Sequence, residues 1–180
     1  SENISFSWNT IDQNKIIEAA KNAEIIDEIN NFSDGFNTVI GERGVKLSGG
    51  QRQRLAIART FYKKPKISIY DDCLSAIDAN KEQKILKNLE NESEGETSII
   101  ISHRISTLKK CDYIIVLEKG KIIERGTHNL LLKNKGFYFK IDKNQSNSAW
   151  TKNIAFSLNQ ITILFYKESA EVFANSYKLY

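Results

Sequence analysis

Apolar residues at Ile16, Ile17, Ala20, Ala23, Ile25, Ile26 and Ile29 follow Asp12 on one face of a 3.6-residue period. The first third of the chain therefore reads as helical, with Asp12 as its N-cap. Asn30 to Gly35 carries turn chemistry, and Gly41 and Gly44 punctuate a short loop. A second helix opens near Ser48, buries Leu55, Ala58 and Phe61 or Tyr62, and is stopped by Pro65, the only proline. Beyond Pro65 the pattern changes. Ile67 to Tyr70 is a short apolar run ending in two acids, and Asn80 to Asn91 reads as a helix with Ile85, Leu86 and Leu89 inside. Asn80 and Gln83 have the spacing of a capping box. Ser98 to Ser102 reads as a buried strand, Arg104 to Lys110 as a short helix, and Tyr113 to Leu117 with Lys121 to Glu124 as the arms of a hairpin turning at Glu118, Lys119 and Gly120. Strands alternating with helices predict an α/β fold with a mostly parallel sheet. Lys143 to Ser148 is polar and linker-like. From Ala149 to Tyr180 the pattern fits a helix with an apolar face, while Ile161 to Tyr166 fits a strand equally well.

Composition narrows the class without naming it. With 27% charged and 41% hydrophobic residues, the 180-residue chain is globular in type, one domain or one domain with an appendage. Lys and Arg number 26 against 22 for Asp and Glu, and a surplus of +4 is too small to argue for a nucleic-acid partner. No apolar run approaches the ~18 residues of a spanning helix, and nothing at the N-terminus resembles a secretory signal. Cys73 and Cys111 offer neither zinc spacing nor a disulfide framework, so a reduced, cytosolic chain is the default. The chain opens on Ser1 and has no Met. Loss of an initiator residue and origin within a longer protein are both open readings.

Three stretches carry candidate chemistry. In Leu47-Ser48-Gly49-Gly50-Gln51, two glycines before a helix expose backbone N–H groups at the positive end of its dipole, and Ser48 adds a hydroxyl. That is an anion site; an ordinary capping box between Ser48 and Gln51 is the other reading. Asp71 and Asp72 stand at the carboxyl end of a strand, where open α/β sheets bind ligands. Two carboxylates there suit a hard cation such as Mg²⁺ and a base acting on water, or are simply solvated. His103 follows the Ser98 to Ser102 strand, level with that pair.

Together these stretches resemble the nucleotide-binding domain of ATP-binding cassette (ABC) proteins over roughly Ser1 to Ile141. Leu47-Ser48-Gly49-Gly50-Gln51 resembles the family signature, Ile67 to Asp72 the Walker B strand, Ser75-Ala76-Ile77-Asp78 the D-loop, and Ser102-His103-Arg104 the histidine switch. Thr38 to Gly44 resembles the X-loop of the exporters, and Glu2-Asn3-Ile4 the segment after their Q-loop. The resemblance implies a partial P-loop NTPase (RecA-like) fold, incomplete at its N-terminus. It divides into a helical signature subdomain over 1–64, a RecA-like part over 65–142, and a linker and extra tail over 143–180. It also implies ATP and Mg²⁺ as cofactors. Ser48, Gly49, Gly50 and Gln51 would contact the γ-phosphate of ATP on a second nucleotide-binding domain, identical or different. Asp71 would hold Mg²⁺, Asp72 would be the general base, His103 would sense the γ-phosphate, and Asp78 would signal across the dimer. Transmembrane domains would be met near Thr38 to Gly44, at the cytoplasmic face of a membrane.

The sequence departs from that pattern in two ways. No Gly-x-x-x-x-Gly-Lys-Ser/Thr occurs among its nine glycines: Gly44 and Gly49 have the separation, but Gly50 and Gln51 follow. Asp72 stands where the family prefers glutamate. One missing methylene retracts the carboxylate by about 1 Å, a displacement that costs on the order of 100-fold in rate. The expected roles are an exporter ATPase portion without its own P-loop, a binding module that donates only its signature, or an inert remnant. ABC ATPases of DNA repair or translation are a distant alternative, since neither coiled-coil heptads nor a second cassette is present.

Overall fold

The computed structural model describes residues 1–6, 11–41, 44–92, 96–146 and, as backbone, 163–165. Most of the tail from 147 onward therefore lies outside the described residues. The chain divides into two compact units, residues 1–65 with 73–94, and residues 66–72 with 95–180.

The first unit is helical: α1 (Glu2–Ser5), α2 (Gln13–Asn22), α3 (Ile26–Asn30), a 3₁₀ turn (Gly35–Asn37), α4 (Gly49–Lys63) and α5 (Ala79–Glu92). Asp12 caps α2 as expected, accepting from the N–H groups of Asn14 and Lys15 at 3.0 and 3.2 Å. The single helix expected from the Ile16 to Ile29 periodicity is two. Ile25 N–H donates to Ala20 O and Glu24 N–H to Lys21 O, the paired bonds of a Schellman ending, with Glu24 left-handed at φ 54°. Glycine is the usual residue at that position, so the break left no mark in the composition. Ala20 and Ile25, which flank the reversal, are both buried. Helix α4 buries Leu55, Ile57, Ala58 and Phe61, and its last turn passes through left-handed Lys64 into Pro65. Helix α5 buries Ile85, Leu86 and Leu89. Its start is held by Asp78 rather than by the expected Asn80 and Gln83 box: Asp78 Oδ1 accepts from Lys81 N–H at 3.0 Å.

The second unit carries the sheets. Strands β1 (Ile67–Asp71) and β2 (Thr97–Ile101) run parallel, in register from Ile67 against Thr97 to Asp71 against Ile101. Strands β3 (Ile114–Glu118) and β4 (Lys121–Gly126) form the expected hairpin, with Lys119 and Gly120 both at positive φ, as a two-residue hairpin turn requires. Strand β5 (Ile163–Phe165) pairs antiparallel with the other edge of β3, which makes the three-stranded order β4-β3-β5. The fold is α/β, and its parallel sheet is the β1-β2 pair. Helices α6 (Ile105–Leu108), α7 (His128–Asn134) and α8 (Phe137–Ser146) complete the unit. Residues 143–146, expected as linker, continue α8. Their polar side chains are used within the unit: Gln145 bonds the loop before α6, and Ser146 Oγ donates to Asp142 O at 2.8 Å. Among the described residues no helix is long and apolar enough to cross a membrane.

Strand β1 is apolar on its outer face. Ser68 and Tyr70 are buried, whereas Ile67 and Ile69 are 64% and 67% exposed. Bare isoleucines on a sheet favour association over solubility. The double variant Ile67→Thr with Ile69→Thr keeps β-branching and should leave stability within about 0.5 kcal/mol while raising soluble yield. Chemical denaturation and light scattering check it; a loss above about 1.5 kcal/mol would mean that this face is packed.

Candidate functional site

The candidate residues form one cluster within each unit. In the first, Ser48 is the N-cap of α4 and closes a reciprocal capping box. Its Oγ accepts from Gln51 N–H at 3.2 Å, and its own N–H donates to Gln51 Oε1 at 2.8 Å. The capping-box reading of the motif holds, and it does not use the two glycine amides. The box uses the Gln51 amide, while the N–H groups of Gly49 and Gly50 precede any carbonyl of the helix that could receive them. They face outward at the positive end of a 15-residue helix, which suits a phosphate.

The two glycines differ. A Cβ on Gly50 would meet Ala76 O at 2.6 Å, whereas one on Gly49 would meet only Ala76 Cβ at 3.7 Å. Gly50 is thus required by the loop behind it, and Gly49 keeps open the space in front. That loop is Ser75 to Asp78. Gln53, one turn into α4, grips it from below: its Nε2 donates to Ser75 Oγ at 3.0 Å, and its Oε1 accepts from Ala76 N–H at 2.9 Å. Sequence reasoning passed over Gln53, although a glutamine on the helix face toward a short loop is the only signal it could have offered.

Beneath the loop, Glu28 of α3 receives both Lys81 Nζ, at 2.7 Å, and the nearly buried Arg54 guanidinium. Burial works against the Glu28 charge, but the Lys81 bond and the Arg54 and Lys81 charges outweigh it and hold its carboxyl below the usual range. The backbone N–H of Lys81 likewise holds the Asp78 carboxyl down. That cap is therefore intact at neutral pH, and it is lost only as acidification passes through a value below the ordinary carboxylate range.

In the second unit, β1 ends at Asp71 and Asp72 follows, both exposed. Asp72 N–H donates to Ile101 O at 3.0 Å, continuing the β1-β2 pairing past the strand. Asp72 adopts φ 46°, a left-handed conformation that aspartate tolerates better than most residues. His103 leaves the end of β2 and brings Nδ1 to 3.5 Å from Asp72 Oδ1. The expected adjacency of His103 and the acid pair holds for Asp72. No cluster of three or more His, Cys, Asp or Glu side chains able to cage a metal occurs among the described residues. Asp71 alone fits a Mg²⁺ that arrives with phosphates, since that ion keeps most of its waters and takes one or two carboxylates. His128 opens α7 and meets Tyr138 Oη at 2.8 Å. Of the Thr38 to Gly44 stretch, residues 42–43 lie outside the described residues. Of the rest, Ile40 and Gly41 border a groove of about 660 Å³ that is also lined by Asn3, Val45, Leu47, Arg52 and Leu55.

Residues 2–75 match the family model described as ABC transporter. The exotoxin translocation ATP-binding protein PaxB of Pasteurella aerogenes is 46% identical over 81% of this chain and 20% of its own length. ABC transporter B family member 16 of Arabidopsis thaliana is 47% identical over 78% of this chain and 12% of its own. A solved bacterial Atm1-family ABC exporter with ATP bound superposes with a TM-score of 0.76 at 40% identity, over 81% of this chain and 26% of that one. The fold and the motifs define part of an ABC-type nucleotide-binding domain. The chain is similar to ABC transporter proteins through the match over residues 2–75 and through these relatives, and it spans a fifth or less of the length of the two curated relatives named.

The unequal glycines yield a test. Gly50→Ala should push the Ala76 carbonyl away and speed exchange of the Ala76 amide at least about tenfold, as expected for a lost hydrogen bond. Gly49→Ala should leave it unchanged. Equal effects, read by hydrogen exchange with NMR or mass spectrometry, would remove the contact from the account.

Proposed function

We propose that this chain is the signature-bearing part of an ABC exporter ATPase, coupling ATP binding and hydrolysis to export across a membrane. No P-loop lies within the 180 residues, so the nucleotide's phosphates are cradled by a P-loop outside them. The observation that carries the reading is the start of α4. There a capped helix presents two glycine amides outward, and Gly50 is held flush against Ala76. Ser48, Gly49, Gly50 and Gln51 contact the γ-phosphate of ATP bound by a second nucleotide-binding domain. MgATP supplies the phosphoryl group and the cation when bound. Asp71 holds the cation, Asp72 accepts the proton of the attacking water, His103 contacts the γ-phosphate, and Asp78 reports to the partner.

The partner across the nucleotide is another nucleotide-binding domain, and the groove bordered by Ile40 and Val45 receives the transmembrane domains. That places the chain at the cytoplasmic face of a membrane, held there by those domains. Exposed Val39, 70% accessible, supports a protein contact at this edge. A second reading, donation of the signature without catalysis, is favoured by one feature. The signature, Gln53 and the Ser75 to Asp78 loop are joined within a single unit.

Mixing the chain with an ABC nucleotide-binding domain that has an intact P-loop but no hydrolysis tests the common core of both readings. Association should require MgATP. Gly49→Asp sets a carboxylate against the phosphates without disturbing Ala76, and it should weaken association at least about tenfold. Nucleotide-independent association, or equal binding by the variant, would contradict the proposal. A second measurement tests the part assigned to Asp72 in the catalytic reading. In a chain completed with a P-loop segment, Asp72→Glu should speed single-turnover hydrolysis, on the order of 100-fold. Equal rates would show that the short Asp72 carboxylate does not limit this site.

A further inference from the structure

Helix α6 is four residues long and begins at Ile105, and its N-cap residue, Arg104, makes no side-chain bond to the helix start. An arginine offers donors only, so it cannot receive the amides that open a helix. The acceptor comes from 40 residues downstream: Ile105 N–H donates to Gln145 Oε1 at 2.9 Å. The other end of the same amide turns back, and Gln145 Nε2 donates to the His103 carbonyl at 2.6 Å. A carbonyl only accepts and an N–H only donates, so the two partners fix which end of the Gln145 amide faces which. One planar side chain thus grips the peptide groups on both sides of Arg104.

Helix α8 also holds the far end of α6. Asp142 Oδ1 lies 3.2 Å from Nζ of Lys109, the C-cap residue of α6. Asp142 and Gln145 are three residues apart, on one face of α8. Short α6 is therefore tied at both ends to one rigid element. His103 sits just upstream of this grip. Its side chain is 45% exposed, so little packing holds the ring, and its orientation toward Asp72 depends on the backbone that carries it. Ser102 Oγ, which accepts from Arg104 N–H at 3.1 Å, supports the same short loop from within.

We propose that Gln145 is a positioning residue for His103. Its bridging amide fixes the backbone from His103 to Ile105 and thereby the approach of the imidazole to Asp72. The catalytic meaning of this role rests on the proposed nucleotide reading; the positioning itself requires no nucleotide.

The test is carried out on the 180-residue chain, which has only two histidines. His128, held by Tyr138 Oη, is an internal reference. Carbon relaxation of the two imidazole Cε1 positions reports ring order, and hydrogen exchange reports the Ile105 amide. Gln145→Met keeps the length and removes both bonds. Exchange at Ile105 should rise at least about tenfold, and the order of the His103 ring should fall while that of His128 stays. Gln145→Glu keeps an acceptor for Ile105 but opposes the His103 carbonyl with a second acceptor. Ile105 should stay protected and the His103 ring should still loosen. Unchanged His103 order in both variants would overturn the proposal. So would equal loosening of His103 and His128, which would make Gln145 a general packing residue. Because neither readout uses ATP, failure of the nucleotide reading and failure of the positioning role remain distinguishable.

Discussion

Three of the loops that carry candidate chemistry lead into a helix, and a helix begins with amide hydrogens that its own carbonyls cannot reach. What receives those hydrogens decides the shape of each loop. At α4 the Ser48 box takes one amide and leaves the glycine amides outward. At α5 Asp78 takes the Lys81 amide, which fixes the end of the Ser75 to Asp78 loop. At α6 the N-cap residue, Arg104, makes no cap bond, and Gln145 supplies an acceptor for Ile105 N–H from α8. Each solution is local in energy, typically about 1 kcal/mol for a cap. Each is decisive for geometry, because it sets where the neighbouring functional side chain stands.

Around these helix starts the first unit behaves as a linked cluster. Gln53 joins α4 to the loop before α5, Gly50 allows the two backbones to touch, and Glu28 gathers Arg54 of α4 and Lys81 of α5 onto α3. Removing Glu28 would leave a nearly buried guanidinium uncompensated, which costs far more than an exposed pair contributes. In the second unit the corresponding arrangement is more open. Asp72 is set by its left-handed backbone and its bond to Ile101 O, and His103 reaches it from the end of the neighbouring strand. Asp72 stands at φ 46°, and its side chain and the His103 ring are each about half exposed.

Much of this was legible in the sequence because the signals are local. The Asp12 cap, the Ser48 and Gln51 box, the stop at Pro65, the strands around Ile67 and Ile99 and the hairpin at Lys119 and Gly120 each depend on residues within a few positions of one another. The misses share the opposite property or lack the customary residue. The break after α2 uses Glu24 where glycine is usual, so periodicity ran straight through it. Asp78 displaced the Asn80 box because acceptor geometry, not spacing, chooses between nearby caps. Gln53 and Gln145 act across 22 to 42 residues. A polar run such as Lys143 to Ser146 reads as linker until its partners in α6 are known.

The central claim is that the start of α4 meets the γ-phosphate of a nucleotide held by another domain's P-loop. Orthovanadate, which occupies the γ-phosphate position beside ADP and cleaves adjacent backbone on illumination, tests it most directly. The chain would be mixed with an ABC nucleotide-binding domain carrying an intact P-loop, trapped with MgATP and vanadate, irradiated, and the fragments weighed. The account predicts scission of this chain at Ser48 or Gly49, dependent on nucleotide. Scission confined to the other domain's P-loop, with residues 47–51 of this chain intact, would contradict it.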